Sequence, residues 1–163
     1  MRVFRAFNEF RYKIKHSFIS LWTWFPVIWN DRQWDFNYTY KILRHKLHLQ
    51  LKYALEKDRS LIQEKDNLER CIFLLDRLIA DDYDEMYRLE HEKKWGAAVF
   101  HYHPVENGNY RIEITHSGVK TDEDKELMRK EFNDNVWKAN NQFQKDKTEL
   151  FDIINDNIDK WWD

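Results

Sequence analysis

Apolar residues recur at three- and four-residue steps near the start of the chain: Val3, Phe7, Phe10, Ile14, Phe18, Leu21 and Phe25. That spacing lines one face of an α-helix, and Pro26 is expected to end it. Residues 25–34 (FPVIWNDRQW) then read as a bend, with Asn30 or Asp31 as N-cap of a second helix from about Trp34 to Lys57. Phe36, Tyr40, Leu43, Leu47, Leu51 and Ala54 share one side of that helix, and Tyr38, Ile42, Leu49 and Tyr53 the other. A helix apolar on two sides is expected between neighbours, at the centre of a bundle.

The third helix covers about Ile62–Ala80, with a stripe of Leu68, Cys71, Ile72, Leu75, Leu78 and Ile79. It either stops near Asp81, leaving both aspartates solvated, or continues to Lys94 and draws Asp82 into the stripe, where an unpaired carboxylate is costly. Residues 110–116 alternate with period two after Glu106-Asn107-Gly108-Asn109, a hairpin turn signal, and Ala98–His103 precede it. Thr121, with Asp124 three residues on, forms a weakened capping box for a long last helix to about Trp161. Its stripe is Phe132, Val136, Ala139, Phe143, Leu150, Ile154, Ile158 and Trp161, interrupted by Lys147. The pattern predicts a mainly α protein: a helical bundle of four to five helices with a small inserted β-hairpin at about 97–116, in a single domain over 1–163.

Composition sharpens this. Three Gly and two Pro leave few turns, and 17% aromatic residues, eight of them Trp, argue against disorder. The net charge of −2 gives no global pull toward nucleic acid. Charge is uneven, however: residues 1–20 carry five Lys/Arg against Glu9, and residues 121–163 carry seven against twelve acids. The two end helices either pack together or join subunits head to tail, or else both are solvated faces. A single cysteine, Cys71, excludes an internal disulfide and suits a reducing compartment. Met1–Lys15 has no apolar run of a signal peptide, and Phe18–Trp29 is too short to span a bilayer. No membrane partner is expected.

Catalytic signatures are missing. There is no phosphate-binding glycine loop, no Cys pair and no nucleophile elbow. Cys71 lies on an apolar stripe and reads as a buried structural thiol. His101 and His103 share a strand face, and His116 could stand across from them as a third metal ligand; a metal site is nonetheless not expected. His45 and His48 fall on a polar strip, as solvated or hydrogen-bonding residues. Asp81 and Asp82 with a histidine are the weakest reading, an acid–base set, and an enzyme is not expected.

The stretch Trp29–Tyr38 alternates aromatic and hydrogen-bonding groups at a helix start. Rings there can stack on a base, Arg can hold a phosphate in a fork, and a helix N-terminus suits an anion. The same pattern also fits a Trp-rich corner that packs the first helix on the second.

The segments IWNDRQWDFNYTYKILRHKLHLQLKY (28–53) and EKDNLERCIFLLDRLIADDYDE (64–85), with the terminal DKWWD, carry W-D-x-x-Y, L-L-D-R-L-I-x-D-D-Y and W-W-D motifs. Over about half of its length the chain resembles a family of small uncharacterised proteins encoded by tailed bacteriophages. The resemblance implies a phage protein acting in the host bacterial cytoplasm. It implies no chemistry, and the hairpin lies outside it.

A non-enzymatic binding protein follows, an anti-defence sponge that sequesters a nucleotide-derived immune signal. Arg32 and Arg44 would hold phosphates, Trp34 and Tyr38 would stack rings, and His48 would donate a hydrogen bond. Trp162 lies off the last helical stripe, where a terminal aromatic pair either closes a core or reaches into a neighbouring subunit, and it joins this binding set. The expected partners are a small nucleotide-like ligand and further copies of the chain; no cofactor, metal or nucleic acid is expected. The alternative is a protein–protein interaction module, either a virion assembly factor or an inhibitor of a host protein, with exposed Trp as hot spots.

Overall fold

The computed structural model describes residues 2–29, 35, 37–56, 64–105 and 108–161, with side chains from residue 9 onward. Among these are five helices and one antiparallel hairpin. They are α1 (Arg2–Ile28), α2 (Asn37–Glu56), α3 (Lys65–Ala80), α4 (Glu85–Trp95), β1 (Ala98–Pro104), β2 (Tyr110–His116) and α5 (Asp122–Asn157), with a final 3-10 turn at Ile158–Trp161. The mainly helical architecture with a small inserted hairpin is the one the periodicities predict. The chain gathers into two compact units, Met1–Ile79 with Leu150–Asp163, and Ala80–Glu149.

The first unit holds α1, α2, α3 and the end of α5. Pro26 lies inside α1 rather than ending it. Proline lacks one N–H, but so near the end the ladder closes beyond it, with Trp29 N–H donating to the Phe25 carbonyl at 3.0 Å. Asn30 and Asp31, the expected caps of the next helix, lie outside the described residues. Asp35 caps it instead, its carboxylate accepting the Asn37 N–H at 3.0 Å.

The second apolar side of α2 is covered only in part: Tyr40, Leu47, Gln50 and Ala54 are buried along one side, while on the other Tyr38, Ile42 and Leu49 are half-buried and Tyr53 is exposed. The most deeply buried helix is α3, where Leu68, Cys71, Ile72, Leu74, Leu75 and Leu78 are all inside. Leu74, three residues after Cys71 and four before Leu78, widens the stripe of the other five. Leu150 and Trp161 complete the buried set of this unit. Burial raises the Tyr40 phenol above its ordinary value.

The α3 helix stops at Ala80, and Asp81 and Asp82 are both exposed. Asp81 takes the left-handed conformation (φ 50°) common just past a helix end. The second unit begins there. Tyr83 donates its hydroxyl to Asp146 at 2.8 Å, Gln142 donates to the same carboxylate at 2.8 Å, and the Tyr83 ring meets Phe143 edge-on. Asp146 is buried; the sequence pattern marks its neighbour Lys147 as the break in the stripe, and the inward position is one residue earlier. Phe132 and Val136, expected inside, are exposed.

The buried Trp95 ends α4 and donates its indole N–H to Glu131 at 2.8 Å, while Lys94 binds the same carboxylate. Gly118 N–H donates to the Trp95 carbonyl at 2.8 Å, tying the end of the hairpin to the end of α4. The capping box at the start of α5 is complete: Thr121 Oγ1 accepts the Asp124 N–H, and the Asp124 carboxylate accepts the Thr121 and Lys120 N–H groups. Those backbone donors, Lys120 first, hold the Asp124 carboxyl below its usual range.

Candidate functional site

Positions 38, 41, 45 and 48 of α2 fall three or four residues apart and so share one face. Their side chains, Tyr38, Lys41, His45 and His48, line a cavity of about 230 Å³ together with Arg44 and with Pro26 and Val27 of α1. All seven belong to the first unit. Four of the lining residues carry basic nitrogen groups, and none is a carboxylate. The cavity runs along the first three turns of α2, from Tyr38 to His48.

The neighbours of these groups fix their placement. Lys41 Nζ sits 4.4 Å above the centre of the Tyr38 ring, a cation–π contact. Arg44 Nε approaches Asp76 of α3 at 2.5 Å, as an ion pair without aligned hydrogen-bond geometry. The side chains of that pair are 42% and 48% exposed, so the pair steers the guanidinium more than it stabilises the fold. The Trp24 ring meets His45 edge-on at 4.9 Å. His45 Nε2 is buried and has no hydrogen-bond partner among the described residues. Asn37 Oδ1, Arg44 Nε, Gln50 Oε1 and Trp161 Nε1 share that status; such an atom costs about 1–3 kcal/mol unless an ordered water or a bound group meets it.

Of the expected binding residues, Tyr38, Arg44 and His48 are brought together here. Arg32, Trp34 and Trp162 lie outside the described residues. Sequence reasoning assigned no ligand role to Lys41 and His45, although their spacing from Tyr38 and His48 was the signal that groups them.

The histidine group of the hairpin is corrected. Register pairs His101 with Glu113 and His103 with Arg111, while His116 pairs with Ala98. Paired residues share a face and successive residues alternate, so His116 is on the opposite face from His101 and His103. His103 binds Glu113 at 3.2 Å and His116 binds the Gly96 carbonyl at 3.0 Å. Among the described residues no set of three His, Cys, Asp or Glu side chains is gathered to hold a metal ion. A smaller cavity of about 120 Å³ in the second unit, lined by Asp84, Tyr87, Arg88, His91, Phe132, Asn135 and Val136, mixes both charges with apolar walls.

No protein-family model matches the chain, and neither does any curated protein or solved structure. Among the described residues no helix is long and apolar enough to cross a membrane.

Proposed function

We propose that the protein is a non-enzymatic binder of a small phosphate-bearing ligand, held between α1 and α2. The observation that carries this reading is a cavity lined by Lys41, Arg44, His45 and His48 with no carboxylate in its wall. Arg44 and Lys41 supply charge, His48 and the unpartnered His45 Nε2 supply hydrogen bonds, and Tyr38 offers a ring face. Drug-sized sites occupy about 300–1,000 Å³, so about 230 Å³ encloses a phosphoryl group with part of a sugar, and the rest of a nucleotide extends outside. Taken with the resemblance to bacteriophage proteins, the proposed role is a sponge for a nucleotide-derived immune signal, working as a homo-oligomer in the host cytoplasm.

A thermal-shift panel of cyclic dinucleotides, ADP-ribose and pyrophosphate tests it. A ligand at about 100 times its dissociation constant adds roughly 2.7 kcal/mol, an upward shift of about 5–11 °C for a chain this size. No shift across the panel counts against the reading.

A second reading, a protein–protein interaction module, is favoured by the hairpin. Phe100, Tyr102, Tyr110, Ile112 and Ile114 share one face by register, and each is more than half exposed. An uncovered apolar face on a two-stranded sheet is a docking surface or a liability. A stoichiometric host protein captured by the wild type and lost in Phe100→Ser/Ile112→Ser would support it.

A further inference from the structure

From Glu9 to Trp22 every side chain of α1 is exposed, on all sides of the helix, with Tyr12 at 65% and Ile19 at 50% off its main apolar arc. At 100° per residue, Phe10, Ile14, Phe18, Leu21, Trp22 and Phe25 share an arc about 120° wide. All six are exposed, Phe18 to 70% and Trp22 to 82%. Of the half-buried residues, Thr23 and Val27 lie roughly opposite and Trp24 lies beside the arc's edge; α1 meets α2 where Trp24 contacts His45 and Val27 lines the cavity. An apolar arc of this width on an ordinary surface helix faces the core, and here it is uncovered. The uncovered arc continues to Trp29, 71% exposed.

Charge indicates what covers it. Arg11 lies within the arc, Lys13 and Lys15 flank it on either side, and all three are exposed. Residues 1–29 hold five Lys/Arg and one acidic residue, Glu9, in a chain of net charge −2. We propose that α1 is an interfacial helix that lays this arc on an anionic lipid surface. Phe and Leu side chains would enter the acyl boundary, tryptophans would sit at headgroup level, and Arg11, Lys13 and Lys15 would meet lipid phosphates. A second copy of α1 is the poorer occupant. A parallel pair of such arcs would bring Arg11 against Arg11 in an apolar seam, and five Phe between positions 4 and 25 do not make the narrow Leu/Ile seam of a coiled coil in either direction. The expectation of no membrane partner rests on spanning length; a helix lying in the interface has no such requirement.

Co-sedimentation of the full chain with phosphatidylglycerol/phosphatidylcholine vesicles, against phosphatidylcholine alone, tests this. Binding to the anionic vesicles is expected, with a blue shift of tryptophan emission and quenching by brominated lipid. Each basic residue near an anionic surface is worth roughly fivefold, so Arg11→Gln/Lys13→Gln/Lys15→Gln should weaken binding about 100-fold. Leu21→Glu/Trp22→Glu should abolish it; both positions are exposed, so unchanged far-UV circular dichroism is expected and separates lost docking from lost fold. Ser20→Gln, off the arc, should leave binding intact. Equal binding to the neutral vesicles, no binding to the anionic ones, or self-association that Leu21→Glu/Trp22→Glu removes without any vesicle binding would overturn the proposal.

Discussion

Replacing Glu131 with leucine removes the acceptor shared by Trp95 and Lys94, and the structure says which of the two losses dominates. Lys94 and Glu131 side chains are 51% and 33% exposed, so their ion pair is worth about 0–1 kcal/mol. Trp95 is only 5% exposed, and its indole N–H, donated to Glu131 at 2.8 Å, would be left buried without an acceptor. That orphaned donor costs about 1–3 kcal/mol. A net loss of about 2 kcal/mol follows, or roughly 4–8 °C in Tm. Urea unfolding followed by far-UV circular dichroism measures it. Trp95→Phe, made in the Glu131→Leu background, should then cost less than in wild type, because no N–H remains to be orphaned. The Lys94 ammonium first, and the Trp95 N–H next, hold the Glu131 carboxyl below its ordinary value of 4.5. A depressed folded pKa stabilises the native state above the unfolded value, and that gain disappears as pH falls through the folded one. The gap between wild type and Glu131→Leu should therefore be full near neutrality and narrow below about pH 4. A pH-independent gap, or additive effects of the two substitutions, would refute the reasoning.

Further predictions concern the packing and the backbone. Leu75→Ala, at a fully buried position of α3, should destabilise by about 2–5 kcal/mol in denaturant titration. Gly118→Ala should cost about 1–3 kcal/mol, because its Cβ would come within 2.8–2.9 Å of the Trp95 backbone, which is tied by a hydrogen bond and has little room to move. Asp81→Gly should raise stability by about 0.5–1 kcal/mol in the same assay, since glycine adopts φ 50° without steric penalty. Cys71, at 0% exposure, should react with a thiol reagent only as the chain unfolds, which stopped-flow labelling in native buffer and in urea would show.

The elements legible in the sequence are those set by local chemistry. The Asn-Gly turn and the alternation around it placed the hairpin, and the Thr121/Asp124 box placed the start of α5. What failed depended on tertiary context. Pro26 reads as a stop, but near a helix end its missing donor is cheap. Tyr53 reads as part of a second buried side of α2, yet periodicity cannot say how far along the helix a neighbour arrives to cover it. The same blindness applies to α1, whose stripe is plain in the sequence while its exposure is not. At the cavity, Tyr38, Arg44 and His48 were legible as polar or stacking groups near a helix start. Lys41 and His45 joined them only when the face they share was closed by Pro26 and Val27.

Isothermal titration of the full chain with ADP-ribose, pyrophosphate and a cyclic dinucleotide, repeated on Lys41→Gln/Arg44→Gln, tests ligand capture at the α1–α2 cavity most directly. The account predicts saturable heat with at least one of the three. It also predicts at least a tenfold loss of affinity in the variant, about 1.4 kcal/mol, with the fold retained by circular dichroism. Undiminished binding in the variant, or no heat with any of the three, would contradict it.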